Sequence, residues 1–277
     1  KSLKYLLVDI LDIGKECLQN RKPILMGLTA YWFSFLVPCN KNLWIFGSWF
    51  GERYAGNSRY LFEYVRKNEP TIRAVWFSNR EDTVTEIRSS GGEAYLIQSW
   101  NGFWVACRAG LAIFNVGIWD VNPFGISRAK KLQLWHGTPL KKIGYDNKVS
   151  SIRSKSRMLG LVRALLYPYS YQKYDCIISS CDITSKRFST AFRLPRSKIR
   201  VTGYPRADVI LNREPERVLV LEKIKRELKA KKIVCYAPTG REGGKGGMDL
   251  LEKLDRNHLR KVLERHDAFM VIKMHYY

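Results

Sequence analysis

Acidic residues are scarce in this chain. Over 277 residues, 25 Asp and Glu stand against 48 Lys and Arg, a formal net charge of +23. That imbalance calls for an anionic partner, and nucleic acid, anionic lipid and a phosphate-rich molecule all satisfy it. Cysteine is sparse as well. The six (17, 39, 107, 176, 181 and 235) form no CxxC pair and no cluster with the four histidines, so no metal site is expected and a reducing compartment suits the chain. No Gly-Lys-Ser/Thr phosphate loop is present. Nor is a cleavable signal peptide evident. The uncharged stretch 24–37 has fourteen residues, short of the roughly 20 a spanning helix needs.

Apolar residues are plentiful at 45%, enough for packed cores and too many for wholesale disorder. Residues 3–18 place leucines and isoleucines on one helical face. The stretch 24–37 follows, rich in aromatics that favour interfaces and flanked by Arg21, Lys22 and Lys41. Residues 1–40 are therefore expected to form a helical segment attached to an anionic membrane surface through Tyr31, Trp32, Phe33 and Phe35, without crossing it. The competing expectation is that these helices pack on the domain that follows.

From Lys41 onward, short apolar runs alternate with helical patterns. Strands are predicted at 43–46, 74–77, 95–97, 111–115 and 132–135, with helices near 82–90 and 100–109 and a helix capped by Asn57 or Ser58. Such alternation predicts an α/β fold with a largely parallel, doubly wound sheet. Residues 41–173 are assigned to a first Rossmann-like domain and 174–277 to a second. The second has strands at 176–179, 198–202, 232–236 and 269–274.

Around 132–146 the pattern carries chemistry. An apolar run delivers His136 to a strand's carboxyl edge, where Gly137, Thr138 and Pro139 force a turn. Ligand sites of open α/β sheets lie at such edges, and histidine is the side chain most easily set as a general base near neutral pH. A lone His there is more often a hydrogen-bonded structural residue. Lys141 and Lys142 follow at once, as a phosphate-bearing substrate requires. Between 128 and 173 the chain holds eleven Lys or Arg and one acid, Asp146. Arg241 sits in a glycine-rich loop, where it and exposed backbone amides suit a phosphate.

The run LWHGTPLKKIGYD (134–146) closely resembles the signature of the CDP-glycerol glycerophosphotransferases, the teichoic acid primases and polymerases. FGSWFGERYAGNSRYLFEYV (46–65), SSCDIT (179–184), VTGYPRAD (201–208), APTGR (237–241) and Lys273-x-His275 resemble further segments of that family. Gly240 stands where the family carries an aromatic, and Tyr276 where it carries proline. The resemblance implies a GT-B pair of Rossmann-like domains, the second cut short. The chain begins at Lys1 and stops at Tyr277, before a nucleotide-binding segment that the family continues with, so a longer natural protein is expected.

It also implies transfer of glycerol phosphate from CDP-glycerol to a hydroxyl on a polyprenyl-diphosphate-linked saccharide or polymer, with release of CMP. The setting would be the cytoplasmic face of the membrane, with no cofactor. His136 would be the catalytic base, and Lys141, Lys142, Arg206, Thr239, Arg241, Lys273 and His275 would bind substrate. Two other readings stand beside it. One is a related enzyme using CDP-ribitol or a nucleotide sugar; the other is a non-enzymatic basic module for membrane or nucleic acid, although nothing in the chain resembles a nucleic-acid-binding motif.

Overall fold

The computed structural model of the chain describes residues 21–147, 157–211, 222–229, 231–237 and 255–273. The chain divides into two compact units, 1–208 and 209–277. In chain order the first unit holds α1 (Arg21–Ser34), β1 (Asn40–Phe46), α2 (Gly56–Asn68), β2 (Arg73–Ser78), α3 (Glu81–Ser89), β3 (Glu93–Leu96), α4 (Trp100–Arg108) and β4 (Ala109–Phe114). It continues with β5 (Lys130–Gln133), α5 (Arg157–Leu166), β6 (Cys176–Ser179), α6 (Asp182–Phe192) and β7 (Ile199–Val201), and α7 (Pro205–Leu211) follows.

The seven strands make one sheet in the order β3-β2-β1-β4-β5-β6-β7, every pair parallel. Both faces are covered, and the period of two along each strand assigns residues to them. Ile45, Val75, Phe77 and Phe114 face one core together with Val105 and Ala106 of α4. Their neighbours Phe46, Trp76 and Ile113 face the other, against Phe62 and Val65 of α2 and Val84 and Ile87 of α3. Continuous apolar strands follow from burial on both sides.

The expected break between residues 173 and 174 is not where the chain divides. Asp175 bonds both ways with β5: its N–H donates to the Lys131 carbonyl at 2.9 Å, and its carboxylate accepts from Lys131 N at 2.9 Å. Leu132 pairs with Cys176, so β6 and then β7 extend the same sheet, and the division falls after Asp208. A shift in composition from basic to apolar looked like a boundary because it marks the re-entry of the chain into a buried strand. Asn57 and Ser58 do not cap α2 either. Ala55 holds the cap position, and both polar side chains are fully buried inside the first turn.

Helix α1 lies on the first unit through Gly27, Tyr31 and Ser34, which recur at helical spacing. A Cβ at Gly27 would stand 2.8 Å from the Phe124 ring, Tyr31 packs edge-on to Tyr169, and the Ser34 hydroxyl bonds that of Ser127. Tyr31 is therefore buried against the protein, a correction to its expected place on the membrane-facing side. The opposite face is bare: Met26 is 71% exposed, Trp32 59% and Leu36 78%, with Phe33 and Phe35 exposed beside them. Among the described residues no helix is long and apolar enough to cross a membrane. Residues 1–20 lie outside the described residues.

In the second unit β8 (Lys232–Tyr236) and β9 (Ala268–Ile272) pair in parallel through five registered positions. The helix α8 (Arg256–Arg265) joins them, its start capped by the Asp255 carboxylate, which accepts from Asn257 N and His258 N. Residues 222–227 are also helical.

Candidate functional site

The order of strands reverses between β1 and β4, so the loops leaving their carboxyl ends part and open a crevice. His136 stands there. Its Nδ1 lies 3.4 Å from the carbonyl of Asn115, the residue after β4, and its ring centroid is 5.8 Å from that of Trp49, just beyond β1. Strand β5 ends at Gln133, two residues earlier than the sequence suggests, and Leu134 to Gly137 form the turn. The Gln133 side chain shapes it by accepting from Trp135 N at 2.9 Å and donating to the Val116 carbonyl at 3.0 Å. Trp135 is forced to φ +57°, a left-handed conformation that a bulky residue rarely adopts. Its ring stacks on His136 with centroids 4.3 Å apart.

A carbonyl oxygen only accepts, so the contact to Asn115 places the imidazole proton on Nδ1 and the lone pair on Nε2. No described residue bonds to Nε2. Burial lowers the His136 pKa from its ordinary 6.5; the Asn115 bond opposes this, and the nearby Arg206 charge adds to it. Burial thus favours the neutral ring, the form a general base requires.

Three buried polar residues, unremarkable in sequence, build this crevice. Asp120 has no exposure and accepts from four backbone N–H groups: Asn115 at 2.8 Å, Val116 at 2.6 Å, Gly117 at 3.3 Å and Phe50 at 2.7 Å. Burial raises its pKa, while those donors oppose the rise. The carboxylate fastens the loop after β1 to the loop after β4, and in that first loop Trp49 and Phe50 are both left-handed at φ +50° and +57°. Asn57 donates to the Trp135 carbonyl at 2.7 Å and accepts from Arg206 N at 3.3 Å, so one side chain joins α2, the His136 turn and α7. Asn115 accepts from Asn57 N at 3.0 Å through its side chain while its own carbonyl holds His136. An isolated Asn or Asp in a loop or a helix's first turn carries no readable binding signal; only the pairing of distant segments gives these three their roles.

Of the residues singled out by sequence, Arg206 joins His136. A Cβ built on Gly137 would lie 3.3 Å from the Arg206 guanidinium, and Gly137 itself has φ +152°. Tyr204 closes the same corner by donating to the Gly137 carbonyl at 3.3 Å. Lys141 and Lys142 are exposed and line a separate polar cleft of about 620 Å³ beside α6. Lys273 is exposed in the second unit, just past β9, where its N–H donates to the Tyr236 carbonyl. Thr239, Arg241 and His275 lie outside the described residues. Beside the crevice, an apolar cleft of about 970 Å³ runs between α1 and α4, walled by Met26, Phe50, Trp100, Phe103 and Trp119. No group of three His, Cys, Asp or Glu is gathered for a metal ion among the described residues.

Comparison with known proteins now bears on this site. A family model described as CDP-Glycerol:Poly(glycerophosphate) glycerophosphotransferase matches residues 29–277. The chain belongs to this family. The teichoic acid poly(glycerol phosphate) polymerase of Staphylococcus epidermidis is 28% identical over 250 residues, 84% of this chain and 32% of that protein. The teichoic acid glycerol-phosphate transferase of Staphylococcus aureus is 29% identical over 256 residues, 86% of this chain and 60% of that one. The solved wall teichoic acid polymerase TagF shares the fold with a TM-score of 0.66 at 23% identity, over 99% of this chain and 65% of that one. The chain thus spans less than two thirds of each of these proteins. As a member of the glycerophosphotransferase family it carries the expected parallel α/β fold, and the family match includes His136 and every candidate substrate-binding residue.

Proposed function

We propose that this chain carries the catalytic base of a transferase in teichoic acid synthesis. The enzyme moves glycerol phosphate from CDP-glycerol to a hydroxyl of a polyprenyl-diphosphate-linked acceptor. The observation that supports this best is the placement of His136 at the crevice where strand order reverses, tied by Nδ1 to the Asn115 carbonyl, with burial lowering its pKa.

In the proposed reaction Nε2 takes the proton of the acceptor hydroxyl as its oxygen bonds to the glycerol-bearing phosphorus. The bond from that phosphorus to the bridging oxygen breaks, and CMP departs with the electron pair. Phosphoryl transfer of this kind is catalysed by position and charge rather than by covalent chemistry on the protein. Arg206 beside His136 supplies positive charge at the reacting phosphate. Thr239, Arg241, Lys273 and His275 are proposed to hold the nucleotide end of the donor.

The attachment to membrane is proposed to run through the bare face of α1 and the turn after it, where Trp32, Phe33, Phe35 and Leu36 are exposed together. Aromatic and aliphatic side chains presented on one helix face, on a chain of net charge +23, suit the cytoplasmic surface of an anionic bilayer.

CMP release by the full-length enzyme on a lipid-linked acceptor, compared across CDP-glycerol, CDP-ribitol and a nucleotide sugar, tests the reaction. CDP-glycerol is expected to give the highest kcat/KM. Preference for CDP-ribitol would keep the chemistry and change the donor, whereas no CMP from any donor would leave only the non-enzymatic basic module.

A further inference from the structure

The loop that leaves the His136 turn is fastened to α6 and to Arg193 just past it at four places. The Arg187 guanidinium donates to the Pro139 carbonyl at 2.9 Å, and Thr190 donates to Asp146 at 2.6 Å. The Arg193 guanidinium lies over the Tyr145 ring at 3.9 Å, and Gly144, at φ +52°, sits so close to the helix that a Cβ there would stand 2.3 Å from the Ala191 carbonyl. None of these fastenings uses Lys141 or Lys142. Both lysines are held on the wall of the 620 Å³ cleft, and no described residue gives either ammonium a hydrogen bond or an ion pair.

The cleft thus gathers four cations, Lys141, Lys142, Arg187 and Arg193, around one carboxylate that Thr190 already engages. Lys141 and Lys142 sit on the loop, while Arg187 and Arg193 reach the same cleft from α6 and the residue after it, so its wall carries an excess of positive charge that an anion would offset. The cleft also has a direction. Arg187 meets the loop at Pro139, and Arg193, just past the end of α6, meets it six residues later at Tyr145, so the cations follow the loop away from His136. A compact anion needs one such cation or two. A row of them suits a chain with a charge on each unit.

We propose that this cleft binds the phosphodiester chain of the acceptor behind the hydroxyl that His136 activates, as a site distinct from the one for the donor. The proposal rests on the transfer reaction given above for the assignment to acceptor rather than donor. A chain running from His136 past Pro139 meets Lys141, Lys142 and Arg187 first and Arg193 last. Multiple weak phosphate contacts along it hold the growing end near the base without closing on it.

Isothermal titration of the full-length enzyme with synthetic tri(glycerol phosphate), with CDP-glycerol and with phosphatidylglycerol vesicles tests this. The doubly substituted Lys141→Gln/Lys142→Gln protein, whose exposed side chains make no internal bonds, is compared with the parent, and Arg193→Gln serves as a second variant at the far end. Loss of two charge-assisted contacts is expected to weaken tri(glycerol phosphate) binding at least about tenfold while CDP-glycerol binding stays within about twofold. Unchanged tri(glycerol phosphate) affinity in both variants would overturn the proposal. So would an equal loss for CDP-glycerol, which would give the cleft to the donor, or a loss confined to vesicles, which would give it to lipid headgroups. A parent that binds tri(glycerol phosphate) through these lysines but never CDP-glycerol would keep the cleft and remove the transfer reading.

Discussion

At the scale of single residues, the imidazole of His136 is set by its surroundings before any substrate arrives. Burial and the Arg206 charge both disfavour protonation, so its pKa lies below the ordinary 6.5. The proposed base must be neutral to act, so the acid limb of the kcat/KM profile is expected below pH 6.5; a limb above pH 7 would contradict this base. The same shift makes the unfolded chain bind more protons between the two pKa values, so stability falls as pH drops through that window. Asn57 positions the ring rather than touching substrate. Asn57→Ala removes the donor to Trp135 and leaves that part-buried carbonyl unpaired, which is expected to cost about 1–3 kcal/mol in denaturant unfolding. It is also expected to lower kcat and displace the acid limb, whereas a purely structural Asn57 would leave the pH profile unmoved. His136 stood out in the sequence because it follows an apolar run and precedes a turn, and Arg206 because VTGYPRAD resembles a family segment. Asn57 did not, because a buried Asn inside a helix's first turn looks like any capping residue until its partners 78 and 149 positions away are known.

Among the elements, the two loops after β1 and β4 carry the site, and their junction is tight. A Cβ at Gly47 would stand 1.9 Å from the Asp120 carbonyl oxygen, a backbone atom that cannot swing aside. Gly47→Ala is expected to destabilise the protein by about 3 kcal/mol, read by chemical denaturation, since backbone overpacking has no rotamer to relax into. A change under 1 kcal/mol would show that the loops separate freely. The strands were legible from their apolar runs, and β2, β6 and β8 fall within a residue or so of their expected bounds. The end of β5 was not. Trp135 continues the apolar run, yet Gln133 captures its N–H and turns it left-handed, a choice made by side-chain hydrogen bonding that periodicity does not register. The domain boundary failed for a related reason: the Asp175 pairing that joins β6 to β5 is a long-range contact.

On the scale of the whole molecule, charge and the bare face of α1 are proposed to act together at a membrane surface. Flotation with phosphatidylglycerol vesicles is expected to carry the protein, and Trp32→Ser/Leu36→Ser to weaken that binding about tenfold or more, from the apolar area each side chain would bury. Added salt should weaken it further by screening the basic surface. Flotation unaffected by the double substitution would leave α1 as packing alone. The central claim, that His136 is the base of the transfer, is tested most directly by turnover of the full-length His136→Asn enzyme. Asparagine keeps the size and one hydrogen bond but cannot accept a proton. A general base contributes about 10²–10⁴-fold to rate, so kcat is expected to fall by that factor while CDP-glycerol affinity stays within a few-fold of the parent. Near-parental kcat in a folded His136→Asn protein would contradict the account and make His136 a structural residue.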